Sequence, residues 1–237
     1  MGKETTSRFW LVMPAAGSSR RMGVSEKPKQ YRELAGRHVI DWALAPFVSH
    51  PRCRGVVVAL SPGDVFWGET EYAVSSLVRV APGGAERADS VLSGLEELES
   101  RAQPEDWVLV HDAARPCFSR HDLDGLLGEL EHDEVGGLLA APIVDTLKRA
   151  DAEQRVYETV PRTALWRALT PQMFRYELLR TALRHAVDSK VAVTDEAQAV
   201  ELQGYRPKLV AGDADNIKIT TPADLERALR ILSSRTK

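Results

Sequence analysis

Residues 11–23 have the sequence LVMPAAGSSRRMG, in which an apolar run meets a proline, five small residues and two adjacent arginines. The apolar run predicts a buried strand, and the small residues predict a turn with little side-chain bulk. Backbone N–H groups in such a turn can approach a polyphosphate closely, and the arginines add positive charge. The stretch therefore predicts a strand followed by a phosphate-binding loop, with a solvated basic loop as the alternative.

Apolar runs and helical patterns alternate along much of the chain. Strands are predicted over residues 9–13, 55–60, 107–111 and 136–142, and helices over residues 39–48, 87–100 and 123–131. Each apolar run is continuous rather than alternating, as in strands that are covered on both faces. The pattern predicts an α/β fold, a mainly parallel sheet with helices on both faces. Ligands bind beyond the carboxyl ends of such strands, so the segments that follow them are expected to share one edge.

Residues 143–170 interrupt this alternation. They favour two extended segments joined by a polar turn near residues 151–154. A two-stranded hairpin is marginally stable alone, so a projecting arm would need a partner such as a second subunit. A hairpin folded back over its own domain is the alternative. Residues 1–237 contain no low-complexity linker or internal repeat, which predicts a single domain that carries this arm.

Several threonines precede helical patterns and are expected to act as N-caps. Thr170 and Thr194 are two of them, and Thr221 is a third, followed by Pro222 at the first position of the last helix. The apolar face of that helix is predicted to consist of Leu225, Ala228, Leu229 and Leu232.

The composition excludes several classes of protein. The 237 residues suffice for one large core, with 43% hydrophobic residues, 27% charged residues and a formal net charge of −3. No apolar stretch approaches the roughly 20 residues that cross a bilayer, so no membrane partner is expected. The slightly acidic balance argues against a nucleic-acid partner. Cys53 and Cys117 lie far apart and are expected to be reduced, buried thiols of a cytoplasmic protein.

Four cationic side chains follow the small-residue turn. Arg20 and Arg21 come first, and Lys27 and Lys29 follow within the motif EKPKQY. Together they could neutralise much of the charge of a triphosphate. The two common nucleotide fingerprints, G-x-x-x-x-G-K-[ST] and G-x-G-x-x-G, do not occur in the sequence.

Asp112 directly follows the apolar run WVLVH and is expected at the edge of the sheet. A carboxylate there suits Mg²⁺, which one or two carboxylates and substrate phosphates typically hold. Asp215 could provide a second metal oxygen, and Lys218 another cation. The alternative is that Asp112 caps the following turn and pairs with Arg115. His111 is expected to be structural.

Gly83 and Gly84 precede a helix that is predicted to begin near Arg87. A double-glycine turn can offer backbone C=O and N–H groups to the edge of a flat base. Cytosine, with an amino donor beside two acceptors, matches such groups, and Ser90 could add a hydroxyl. A tight turn with no ligand is the alternative.

Eight motifs together resemble a known family. They are PAAGSSRRM, PKQY, GGAERADSV, VLVHDAARP, DTLKRA, ALTPQ, TDEAQAVE and ADNIKIT, between residues 14 and 220. In this order they resemble the 2-C-methyl-D-erythritol 4-phosphate cytidylyltransferases of the non-mevalonate isoprenoid pathway. The resemblance implies a Rossmann-like nucleotidyltransferase core, a β-arm at about residues 143–170 that interlocks the two subunits of a homodimer, and the use of CTP with Mg²⁺.

The resemblance also implies the residues of the site. For the triphosphate and its transfer they are Ala15, Ala16, Gly17, Arg21, Lys29 and Lys218. For cytosine they are Gly83, Gly84, Ala85 and Ser90, and for the ribose and metal corner Asp112, Ala113 and Arg115. For the second substrate they are Arg115, Thr146, Arg162, Thr170, Thr194 and Lys218. Arg162 lies on the predicted arm and is expected to serve the site of the neighbouring subunit.

The implied reaction transfers the cytidylyl group of CTP to 2-C-methyl-D-erythritol 4-phosphate. Its products are 4-diphosphocytidyl-2-C-methyl-D-erythritol, used in isoprenoid precursor biosynthesis, and pyrophosphate. A cytidylyltransferase for another polyol phosphate, such as ribitol 5-phosphate, would share the nucleotide motifs and is one alternative. A non-catalytic nucleotide-binding regulatory protein is another, but it would be expected to lose Arg21, Lys29, Asp112 or Lys218, which this chain retains.

Overall fold

The computed structural model describes residues 7–17 and 27–235. The strands of this part of the chain are β1 Phe9–Pro14, β2 Glu33–Leu34, β3 Arg37–His38, β4 Cys53–Leu60, β5 Val78–Pro82, β6 Trp107–Val110, β7 Gly136–Pro142, β8 Leu147–Ala150, β9 Val156–Val160, β10 Trp166–Arg175 and β11 Lys208–Ala211. The helices are α1 Val39–Val48, α2 Arg87–Glu96, α3 Arg120–Leu130, α4 Tyr176–Asp188, α5 Glu196–Glu201 and α6 Pro222–Arg235.

Seven of the strands form one sheet, in the order β11-β7-β10-β6-β1-β4-β5. Strand β1 lies within the sheet and runs parallel to both neighbours, so that Leu11 pairs with Val56 on one side and with Leu109 on the other. Strand β10 is antiparallel to both β6 and β7. The prediction of a mainly parallel sheet is confirmed.

Helices cover both faces of this sheet, which explains why the apolar runs are continuous. Leu11 and Met13 of β1 pack in a core cluster with residues of α1 and α3. Val12, which points to the opposite face, packs with residues of α2, α4 and α5. Successive residues of β1 therefore have apolar partners on both sides of the sheet.

The predicted elements are present, with small differences at their ends. Helix α1 has the predicted bounds, α2 ends earlier at Glu96, and α3 begins earlier at Arg120. The prediction that Thr170 caps a helix is wrong, because this residue lies inside β10. Thr194 does not cap α5 either, since Asp195 is the N-cap and its side chain accepts from the Gln198 N–H.

Helix α6 begins at Pro222 as predicted, but its apolar face differs from the prediction. Ala228, Ile231 and Leu232 are buried in a third cluster, whereas Leu229 is 43% exposed. Thr221 directly precedes the helix, and its N–H and hydroxyl both donate to the Asp224 carboxylate.

The arm predicted over residues 143–170 contains a hairpin with its own two-stranded sheet. Strands β8 and β9 pair antiparallel, with Lys148 opposite Thr159. The turn closes through the Asp151 N–H, which donates to the Arg155 carbonyl. The prediction of two extended segments around a polar turn is confirmed. Val156 and Tyr157 of this hairpin are 65% and 72% exposed.

The composition also led to predictions about the two cysteines and about membrane-spanning segments. Cys53 and Cys117 are free thiols; Cys117 is buried as predicted, but Cys53 is partly exposed. Within residues 7–17 and 27–235, none of the helices has both the length and the apolar character needed to span a bilayer.

Two glycines give a matched test of this packing. A Cβ on Gly137 of β7 would lie 2.0 Å from the backbone oxygen of Lys208 in β11, whereas a Cβ on Gly125 of α3 would meet open space. Gly137→Ala should therefore lower the free energy of unfolding by about 2 kcal/mol or more, because the two strands must separate. Gly125→Ala should raise it by about 0.5–1 kcal/mol through helix propensity. Urea unfolding of both variants measures this, and a Gly137→Ala protein as stable as the parent would contradict the described strand spacing.

Candidate active site

A pocket of about 170 Å³ lies beyond the carboxyl ends of β1, β5 and β6. Its lining residues come from four separate segments and from Lys218: Pro14, Ala15, Ala16, Gly17, Lys29, Gln30, Gly84, Ala85, Glu86, Arg87, Ser90, Asp112, Ala113, Ala114 and Lys218. The prediction that the segments after β1 and β6 share one edge is therefore confirmed.

The turn after β1 is held from beneath by hydrogen bonds to its carbonyl groups. The Gln30 side-chain amide donates to the Ala15 carbonyl over 2.7 Å, and the Ser61 hydroxyl donates to the Ala16 carbonyl over 2.9 Å. The Ala15 N–H donates to the Ala59 carbonyl of β4. Gly17 is exposed at the mouth of the pocket. Ala15 and Ala16 are thus held in place by neighbouring elements of the fold.

The double-glycine turn packs directly against the first turn. A Cβ on Gly83 would lie 2.3 Å from the Ala16 Cβ, so only glycine permits this approach. The Gly84 N–H donates to the Ser90 hydroxyl over 3.1 Å, and that hydroxyl donates to the Glu86 carbonyl over 3.2 Å. Ser90 is buried and shapes the turn, with its one proton already used.

Asp112 is the centre of a cluster of charges at the base of the pocket. One carboxylate oxygen accepts from the Arg87 Nε over 3.1 Å. The other lies 3.2 Å from the Arg115 Nε and 3.0 Å from the Lys218 Nζ. Burial would raise the pKa of Asp112, but the charges of these three cations outweigh it and hold the pKa well below its usual range.

A second carboxylate belongs to the same cluster. Glu196, at the start of α5, is fully buried and accepts from two nitrogens of Arg87. Burial would lower the pKa of Arg87, but the two carboxylates Glu196 and Asp112 outweigh it and raise the pKa. Three cations and two carboxylates leave one formal positive charge beside the pocket, which suits an anionic ligand.

A neutral network supports this cluster from the interior. The Asp112 N–H donates to the Thr170 hydroxyl over 3.1 Å, and that hydroxyl lies 3.0 Å from the His111 Nδ1. The Asn216 amide donates to the Thr170 carbonyl. Burial lowers the pKa of His111 to about 3, so the imidazole is neutral at physiological pH. The interpretation of His111 as structural agrees with this position.

The structure brings together most of the predicted nucleotide residues, but of the predicted second-substrate residues only Lys218 lines the pocket. Arg115 and Thr170 are buried behind the pocket wall. Thr146, Arg162 and Thr194 are not among the residues that line the pocket. Within the arm, the Arg162 side chain donates to the Val144 carbonyl.

Arg20 and Arg21 lie outside the described residues. Lys27 does not line the pocket and pairs with Glu69 at 2.6 Å.

Asp112 and Asp215 are the predicted metal ligands, and only the first lines the pocket. The Asp215 carboxylate lies 3.9 Å from Arg227. Residues 7–17 and 27–235 contain no group of three or more His, Cys, Asp or Glu side chains that could hold a metal ion. A single carboxylate fits a Mg²⁺ ion held mainly by substrate phosphates, and does not fit a metal held by the protein alone.

Three further residues of the site were not assigned a role from the sequence. Arg87 and Glu196 form the buried ion pair, and Gln30 anchors the first turn. Each stands inside a quoted motif: GGAERADSV, TDEAQAVE or PKQY. Motif membership was the available signal, because spacing alone cannot reveal a partner 109 positions away.

Comparisons with known proteins identify relatives along nearly the whole chain. The family described as IspD, 2-C-methyl-D-erythritol 4-phosphate cytidylyltransferase, matches residues 9–234. A protein of that name from Pseudomonas aeruginosa (strain UCBPP-PA14) is 57% identical over 223 residues, which cover 94% of this chain and 95% of the relative.

Solved structures agree with this match. The crystal structure of the Francisella tularensis enzyme of the same name superposes with a TM-score of 0.82 at 33% identity, covering 95% of this chain and 100% of that chain. The Thermus thermophilus structure of the same name superposes with a TM-score of 0.78 at 33% identity, covering 95% and 99%. From the matched motifs, the full-length similarity and the shared fold, the chain belongs to the 2-C-methyl-D-erythritol 4-phosphate cytidylyltransferase family.

Proposed function

We propose that the protein transfers the cytidylyl group of CTP to 2-C-methyl-D-erythritol 4-phosphate and releases pyrophosphate. The observation that carries this proposal is one pocket in which two turns of small residues meet Lys29, Lys218 and the buried Asp112. The turns can approach a nucleotide closely, and the cations can neutralise its phosphates. Membership of the family supports the choice of both substrates.

In this proposal the nucleotide lies across the two turns. Ala15, Ala16 and Gly17, with Arg21 and Lys29, bind the triphosphate. The backbone of Gly83, Gly84 and Ala85 faces the cytosine, and Ser90 keeps that turn in shape. Asp112 and Ala113 lie beside the ribose, and Lys218 lies between the nucleotide and the second substrate.

The proposed reaction is an in-line displacement at the α-phosphorus of CTP. An oxygen of the polyol phosphate forms a bond to this phosphorus while the bond to the β-phosphate oxygen breaks, and pyrophosphate leaves. A phosphate monoester is already a nucleophile near neutral pH, so no general base is needed. The site contributes position and fixed positive charge, with Arg21, Lys29 and Lys218 contacting oxygens whose charge increases in the transition state.

Magnesium is part of the proposal, with Asp112 as the carboxylate that holds it beside the phosphates. A bound Mg²⁺ would neutralise phosphate charge and orient the leaving group. Asp215 stays a candidate for a second oxygen. Its position beside Arg227 makes it the weaker one.

The second substrate and the oligomeric state are proposed together. We assign Thr146, Arg162, Thr170, Thr194, Arg115 and Lys218 to the polyol phosphate. Thr146 and Arg162 lie on or beside an exposed hairpin whose Val156 and Tyr157 would be buried by a second copy of the chain. A cytoplasmic homodimer in which each arm completes the partner's site accounts for both features.

Pyrophosphate release tests the function directly. The purified protein is incubated with CTP, Mg²⁺ and either 2-C-methyl-D-erythritol 4-phosphate or ribitol 5-phosphate. Release with the first substrate is expected. Release with ribitol 5-phosphate alone would assign the alternative transferase, and binding of CTP without any release would favour a regulatory protein.

Lys29→Ala and Lys218→Ala should each reduce kcat about 10²- to 10³-fold, because each removes a cation from the transition state. Steady-state kinetics measures the change, and circular dichroism checks the fold. Lys208→Ala is the matched control, since Lys208 pairs with Glu129 away from the pocket. Parental turnover in both pocket variants would remove these lysines from the mechanism.

Asp112→Asn should shift the dependence of rate on Mg²⁺ to higher concentration and should also weaken the fold. The neutral side chain leaves Arg87, Arg115 and Lys218 with one carboxylate fewer, at a cost of about 3 kcal/mol in the free energy of unfolding. Titration of Mg²⁺ against rate and urea unfolding measure the two effects. A parental Mg²⁺ curve would mean that Asp112 does not hold the metal.

Mixing two inactive variants tests whether the site is shared between subunits. If Arg162 serves the partner's pocket, a dimer of one Arg162→Ala chain and one Lys29→Ala chain has one intact site. Random exchange should then restore about a quarter of the parental sites. Lys29→Ala mixed with Lys218→Ala is the control and should recover nothing, because both lysines line the pocket of their own chain and each pocket of the mixed dimer therefore keeps one lesion. No recovery with the first pair, despite exchange shown by tagged subunits, would contradict the shared site.

A further inference from the structure

A buried ion pair joins two segments that contribute to different parts of the proposed site. The Arg87 Nη1 and Nη2 donate to the two oxygens of Glu196 over 2.5 and 3.0 Å. Glu196 is 0% exposed and lies 109 positions further along the chain. Arg87 begins α2 shortly after the double-glycine turn, and Glu196 begins α5 directly after the segment of Thr194 and Asp195.

The third nitrogen of the same guanidinium reaches the nucleotide corner. The Arg87 Nε donates to one oxygen of Asp112 over 3.1 Å, while Arg115 and Lys218 hold the other oxygen. Contacts on both oxygens prevent rotation of this carboxylate. One planar guanidinium therefore fixes two carboxylates relative to each other, which a lysine could not do with a single nitrogen.

The start of α5 is also tied to the strand beneath the pocket. The Gln172 amide of β10 donates to the Asp195 carboxylate over 2.9 Å and accepts from the Ala197 N–H over 2.8 Å. The start of α5, directly after Thr194, is thus held to β10 by Gln172 and to α2 by the pair of Glu196 with Arg87. These contacts connect the proposed polyol-phosphate segment to the nucleotide pocket.

Stability is a poor explanation for this pair. Two ions that leave water lose hydration, and buried pairs replaced by well-packed apolar side chains are often as stable or more stable. What the charged pair supplies is a fixed geometry between elements that are otherwise separate in the chain. The pair thereby links Asp112 on one side to the segment around Thr194 on the other.

We infer that Arg87 and Glu196 are positioning residues for the transfer, a pair that sets Asp112 and the Thr194 segment at the separation that the two substrates require. The inference rests on the proposed function. It predicts a loss of rate without a loss of nucleotide binding, because the pair aligns the substrates and leaves the phosphate-binding turn unchanged.

Glu196→Gln gives the first test. It keeps the size of the side chain but leaves the cluster more positive by one charge, so CTP should bind at least as tightly as to the parent. Misalignment of Asp112 should reduce kcat by about tenfold to a hundredfold. Calorimetric titration with CTP and steady-state kinetics measure the two quantities. A kcat within twofold of the parent, or parallel losses of CTP affinity and kcat, would overturn the inference.

Arg87→Lys separates charge from geometry. This variant keeps the positive charge but cannot hold both carboxylates, so its kcat should fall as far as that of Glu196→Gln. Restoration of parental kcat by lysine would show that charge alone matters and would overturn the positioning role.

A double variant, Arg87→Met with Glu196→Met, decides the question if the single variants fail to fold. It leaves no unpaired charge at these two positions, so its thermal stability should equal or exceed that of the parent. Its kcat should still be reduced at least tenfold, because Asp112 has lost the Nε contact. A stable double variant with parental kcat would overturn the inference.

Glu131→Gln is the matched control, because Glu131 accepts from Arg52 in a partly buried pair that is remote in sequence and does not line the pocket. This variant should change the free energy of unfolding and leave kcat and CTP affinity unchanged. The unsubstituted protein separates the two proposals. A parent that releases no pyrophosphate overturns the proposed function and this inference with it, whereas an active parent with an unimpaired double variant overturns the inference alone.

Discussion

The carboxylate of Asp112 lies in the interior, where a lone negative charge would be costly. The three cations that compensate it come from the start of α2, from the turn after β6 and from the segment after β11. None of these segments is adjacent to another in the chain. The cluster therefore depends on the assembled sheet, and it fixes the relative positions of these three segments.

This arrangement suits a reaction that needs charge rather than a proton acceptor. The positive groups are already in place and already partly desolvated, so little reorganisation accompanies the development of charge on the phosphates. The neutral His111 beneath Asp112 contributes hydrogen bonds without competing as a base. The small residues of the two turns leave room for backbone contacts, and the buried Gln30 keeps the first turn from relaxing into solvent.

Sequence patterns predicted the features whose signal lies within a few residues. The central strands follow from uninterrupted apolar runs, and Asp112 and the glycine turns follow because each comes directly after a strand. A threonine before a proline is typical of a helix start, but at Thr170 the tertiary fold continues β10 instead.

Other features depend on partners that periodicity does not reveal. The pair of Arg87 with Glu196 requires knowledge of how α2 and α5 meet. The exposed Leu229 and buried Ile231 depend on which side of α6 faces the third core cluster. A helical pattern identifies an apolar stripe along the helix. Which residues at the edge of that stripe are buried is decided by the surface on which the helix packs.

Strand β10 follows the arm and pairs with β7 of the main sheet from Trp166 onward, and this pairing is irregular between Ala168 and Gln172. Thr170 lies within that irregularity, where Asn216 takes up its carbonyl group. Insertions and deletions at the tip of the hairpin, near residues 151–155, would change only the length of the arm. A single-residue insertion between residues 166 and 172 would turn each following side chain to the opposite face of the sheet. The tip of the hairpin can therefore vary in length, whereas the length of β10 is fixed by its place in the sheet.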